Sequence, residues 1–107
     1  MRGAAVGHFA AIEITSPPGS RRMVQALRRM EAPAACVEFY NEHVEADAVH
    51  EHVVRKDVVG DLVAREPHLD RDVVFGMRAH AAVENRLADQ IMASWNQGQS
   101  SLRNPLS

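Results

Sequence analysis

The chain has 107 residues, 46% of them hydrophobic and 24% charged, with a formal net charge of -2. That is the size of one modest domain, and its slightly acidic balance gives no basis for nucleic acid or an anionic membrane as an obligatory partner. A single cysteine, Cys36, excludes an internal disulfide and fits a reducing, cytoplasmic setting. No apolar run approaches the length of a membrane span, and the N-terminus carries no signal-peptide pattern. Aromatic residues make up only 5% of the chain and its valines recur at helical spacing, so a sheet has little to build on and an all-α bundle is expected.

In chain order, residues 1–15 read as a short helix with Val6, Phe9, Ala10 and Glu13 close to one face. Ser16-Pro17-Pro18-Gly19 reads as a break, because neither proline can donate to a helical ladder. Ser20 is placed to cap a second helix running to about Met30, with Met23, Val24, Ala26, Leu27 and Met30 as its core stripe. Its arginines, Arg21, Arg22, Arg28 and Arg29, read as a solvated face paired with neighbouring acids. A nucleic-acid role would need interleaved aromatics, which are absent here.

Pro33 suits the start of a third helix that continues past Arg55. Gly60 is placed to kink or end it, Leu62-Val63-Ala64 to add a turn, and Pro67 to stop it. The last helix spans about residues 71–95, capped by Asp70 or a neighbour. It carries Glu84 near the centre of its apolar face and His80 near the edge. A polar tail follows from 97 to 107, leaving 1–96 as the helical domain.

The third helix is the informative one. His43, Asp47 and His50 recur at i, i+4 and i+7, within a narrow arc that also carries Cys36, Phe39, Tyr40, Val53 and Val54. Two imidazoles and a carboxylate inside an apolar stripe are expensive to bury without partners. Bundle interiors hold iron or manganese, less often zinc, with such donors. The plain alternative is that the three bond one another or stay partly exposed. Glu13 is the best additional ligand because it can approach from another helix. Glu84 can orient a ligand histidine from behind, or pair with an arginine such as Arg86. Cys36 is expected to be a small buried thiol rather than a thiolate ligand, and Tyr40 to pack or to shape a substrate pocket. His50-Glu51-His52 does not form the H-E-x-x-H pattern of zinc proteases.

The phrase Glu42-His43-x-x-x-Asp47-x-x-His50 resembles the last metal-binding helix of the haem-oxygenase-like diiron oxidases and oxygenases, the iron-containing redox enzymes. Segment 7–16 around Glu13 is similar to the family's preceding core helix. Asp72-Val73-Val74-Phe75-Gly76 and Ser100-Ser101-Leu102-Arg103 look like its closing segment. The resemblance implies a haem-oxygenase-like helical bundle of about four helices here. It also implies a non-haem diiron centre with Glu13, His43, Asp47 and His50 as metal ligands, and a small-molecule substrate oxidised with O2. Reactions in the family include N-oxygenation, oxidative decarboxylation and other carbon–bond cleavage. It implies, too, that a longer N-terminal half supplies another Glu and His, so that this chain corresponds to a C-terminal portion. By itself it would then bind one metal weakly or none, unless a second copy completes the bundle as a homodimer. A non-catalytic helical remnant, or a module that oligomerises or docks on a partner, is the competing reading.

Overall fold

The longest element is α1 (Arg2–Arg29), a single helix that runs straight through Pro17 and Pro18. The computed structural model describes residues 1–106. After α1 come α2 (Ala34–Val53), a π-helical segment (Val54–Gly60), the short α3 (Asp61–Arg65), a 3-10 turn (Pro67–Leu69) and α4 (Asp70–Asn96). There is no strand among the described residues, and no helix of theirs is long and apolar enough to cross a membrane.

The expected break at residues 16–19 does not occur. Pro17 and Pro18 lack the N–H groups that would bond the carbonyls of Glu13 and Ile14, a penalty of roughly 3 kcal/mol per proline in a helix interior. Tertiary packing overrides it. α1 is the central helix, packed along α2 on one side and α4 on the other, and Pro17, Ser20 and Val24 are all buried. Ser20, read as an N-cap, is therefore a buried small residue in mid-helix. Nor does Asp70 cap α4: the N-cap position is Leu69, with no side-chain hydrogen bond.

Close approach of α1 and α4 depends on small residues. A Cβ on Gly7 would lie 1.9 Å from the Val73 carbonyl oxygen, and one on Gly76 would lie 2.0 Å from that of Ala4. The buried apolar residues are small or β-branched for the most part: Ala4, Ala10, Ala11 and Val24 on α1, Val73 on α4, and Val54 and Leu62 in the segments between α2 and α4. Gly60 is the last residue of the π-helical segment, and α3 follows directly from Asp61 as the further turn expected before Pro67. What the sequence does not announce is the π segment itself, whose turn advances less per residue than an α turn. Val54, which opens the π segment, and Leu62 in α3 are both buried.

Two helices end in Schellman motifs. At the end of α4, the Gly98 N–H donates to Trp95 and the Gln99 N–H to Ser94, with Gly98 at φ 69°. At the end of α1, Glu31 takes the same left-handed place at φ 54°, with its N–H on Arg28 and the Ala32 N–H on Leu27. A Cβ in that region is strained. Glu31→Gly is expected to raise stability by about 1 kcal/mol, which urea denaturation would register as a higher midpoint at unchanged slope. The tail beyond α4 is exposed and irregular through Leu106, and past the cap it is tied back by the Trp95 Nε1–H to Ser101 Oγ bond of 3.0 Å; Ser107 lies outside the described residues.

Candidate metal centre

Glu13 leaves α1 on the side that meets α2, where Asp47 and His50 stand one turn apart. One donor atom from each of the three lies within 4.8 Å of the others. His50 Nδ1 stands 3.4 Å from Glu13 Oε2 and 3.4 Å from Asp47 Oδ1. Those separations are longer than good hydrogen bonds. They match the spacing of donors around a shared ion, since two ligands held at about 2.1 Å lie roughly 3.0–3.4 Å apart. Asp47 and Glu13 are largely withdrawn from solvent, with side chains 12% and 20% exposed, whereas His50 is 56% exposed.

Two adjacent carboxylates oppose one another electrostatically unless a cation lies between them. Their combined charge balances one divalent ion, and the hard oxygen and imidazole donors suit iron or manganese. The three residues fit such an ion by charge, donor type and spacing.

His43, one turn before Asp47, lies outside this group as the structure holds it. Its Nδ1 is 2.6 Å from the Phe39 carbonyl oxygen, and its ring lies 4.5 Å from the Phe39 ring. A carbonyl can only accept, so Nδ1 is the donor in this contact and Nε2 is the nitrogen turned away from it. Many metal-binding histidines are oriented this way. Tyr40 is half-buried and packs edge-on against Phe39, 5.1 Å between centroids. Glu84 stands elsewhere, lining a groove between α1 and α4 with His8, Ile12 and His80. Cys36 is exposed at the first turn of α2, not buried as its place on the apolar stripe suggested. At that end of the hairpin no element covers it.

Two features escape a reading of the sequence. His8 and His80 meet edge-to-face, 5.0 Å apart, across the α1–α4 seam. Beside the metal group, Phe9, Val53, Val54 and Val58 join Glu13 and His50 around a cleft of about 320 Å³. The i, i+4 pair Val54 and Val58 was the available signal for it, hidden by the expectation that the helix was near its end.

An all-helical chain that brings two carboxylates and an imidazole together across two helices belongs to the class of bundle proteins with a carboxylate–histidine group able to hold a metal. Residues 1–85 match the sequence family described as iron-containing redox enzyme, and the chain belongs to that family. Its fold is accordingly the all-α haem-oxygenase-like bundle, in partial form. No curated protein and no solved structure matches it.

Proposed function

We propose that this chain uses Glu13, Asp47 and His50, with His43, to hold non-haem iron, and that it works as part of a diiron oxidase or oxygenase acting on a small molecule with O2. The observation that carries this reading is the convergence of Glu13 with Asp47 and His50 across two helices far apart in sequence. Family membership supports iron as the metal. When bound, iron would supply electrons for O2 activation. The protein's own part is to fix the donors and shape what lies next to them. Glu13 and Asp47 supply the charge, and the rigid α1–α2 pairing sets their separation. The Phe39 carbonyl holds the His43 ring with Nε2 free, and the apolar walls of the Phe9–Val58 cleft favour an apolar substrate group over water.

Anaerobic titration with Fe(II) tests the reading. Saturable uptake, followed by O2 consumption on exposure to air in the presence of reductant, is the expected result. A folded chain that takes up no Fe(II) at millimolar concentration would end it. The exposed apolar surface around the cleft favours a second reading, a helical module that docks on another surface without catalysis. It predicts association that is indifferent to iron.

A further inference from the structure

The tight crossing of α1 and α4 fixes what stands one turn beyond it. Ala4 backs onto Gly76 and Gly7 onto Val73, so closely that neither glycine has room for a Cβ. The two helices run parallel there, and four positions further along each, Ala4 and Gly76 give way to His8 and His80. Their rings meet across the seam edge-to-face, centres 5.0 Å apart and planes at 87°. Glu84 follows His80 by one turn, on the same side of α4. All three line one groove of about 400 Å³ walled by Ile12 and Val83. His8 and Glu84 are exposed and His80 is half-buried.

These polar groups have no protein partners. Of the histidines in the described residues, His43 and His50 are the ones with a hydrogen bond or ion pair, so the ring nitrogens of His8 and His80 are open to a ligand. The arginines that pair with acids among those residues are Arg2, Arg55 and Arg65, with Glu66, Glu51 and Asp61. The pairing with Arg86 that Glu84 was offered by its sequence neighbourhood is therefore not made. Arg22 shares the adjoining groove with Glu84 but forms no ion pair with it.

The two rings have the spacing of imidazoles on one ion. An ion about 2.1 Å from a ring nitrogen stands roughly 3.2 Å from the ring centre, so two rings at a tetrahedral angle have centres roughly 5.2 Å apart. A plain aromatic contact has a similar separation. What a packing contact leaves unexplained is the unpaired carboxylate one turn along the same groove.

We propose that His8, His80 and Glu84 form a second metal site, one that takes Zn(II) and clasps α1 to α4. Two imidazoles and a carboxylate, with solvent in the fourth position, are a zinc donor set. Glu84 is exposed and flexible, and it turns onto an ion that the two rings already flank. This site shares no donor with the group of Glu13, Asp47 and His50. His8 and Glu13 are five positions apart, about 140° around α1, so one faces α4 and the other α2.

Zn(II) titration of the full chain carrying Asp47→Asn, which disables the Glu13 group, isolates the site. One Zn(II) per chain is expected, with the His8 and His80 ring signals shifting in nitrogen-edited NMR and the melting temperature rising with zinc. In that background His8→Ala and His80→Ala should each weaken zinc binding at least about 10-fold, and Glu84→Gln about 10-fold. Their helical circular dichroism should be kept, since none of the three residues is buried. His80→Gln, closer in size, replaces His80→Ala if alanine loosens the seam. With Asp47 intact, the same substitutions should leave Fe(II) uptake unchanged. No zinc bound at millimolar concentration would overturn the proposal, as would zinc binding indifferent to either histidine. Unaltered affinity in Glu84→Gln would overturn the three-donor site.

Discussion

Asp47→Asn is expected to abolish the iron-dependent rise in melting temperature while leaving the iron-free protein as stable as before, or slightly more so. Asn keeps the shape of the side chain and offers His50 a carbonyl acceptor in place of Asp47 Oδ1, which stands 3.4 Å from His50 Nδ1. What it removes is one of the two negative charges that Glu13 and Asp47 hold within 4.8 Å of the His50 donor. In the iron-free state those charges oppose each other, so their separation is a cost that a ligand relieves. Wild-type protein at 100 times its dissociation constant for Fe(II) should gain about 2.7 kcal/mol. For a domain of this size that is a rise of roughly 10–15 °C. The variant should show almost none of it, with affinity reduced by more than about 100-fold. The iron-free comparison separates the two roles Asp47 could have. Were Asp47 there to pair with His50 for stability, the Asn variant would melt lower without iron, and scanning calorimetry at fixed protein concentration would detect the drop.

Gly76→Ala is the substitution expected to damage the fold most. Its new methyl carbon would fall 2.0 Å from the Ala4 carbonyl oxygen and 2.8 Å from the carbonyl carbon. These are backbone atoms of a helix held on both sides, so no flexible side-chain end can give way, and α1 and α4 must separate. Interiors packed at crystal density transmit such a shift. A loss of about 3 kcal/mol follows, or roughly 15 °C in melting temperature. Gly19→Ala is the control on the same kind of substitution. Nothing lies within 4 Å of a Cβ built there, and the position is inside α1. Alanine should therefore stabilise the protein by about 0.5–1 kcal/mol. If both variants lost stability alike, the close α1–α4 seam would not be what holds the two helices together.

The helices after residue 33 were legible in the sequence because their signals are local. Pro33 at the N-cap of α2, Pro67 closing the segment before α4 and the apolar spacing of residues 71–95 act over a few residues. Pro17 and Pro18 are equally local signals and misled, because their cost is smaller than what α1 gains by packing against two neighbours at once. Gly60 marked a real boundary, but nothing in the sequence announced its form: the α-helix passes at Val54 into a π-helical segment that ends at Gly60, where α3 begins. Cys36 shares the arc of His43 and Asp47, but a helical wheel does not say how far along the helix the neighbouring elements reach.

The same division runs through the metal group. By itself the sequence determined that His43, Asp47 and His50 share one face, since the period of a helix fixes the relative direction of side chains three, four and seven apart. Only the tertiary structure decided that Glu13, 34 positions before Asp47 and followed by two prolines, arrives beside that face. The meeting depends on α1 staying whole through Pro17 and Pro18 and on the register in which it packs against α2. It decided also that Glu84 lies in the α1–α4 groove, away from the group. Direction around a helix is a property of the chain; distance between helices is a property of the packing.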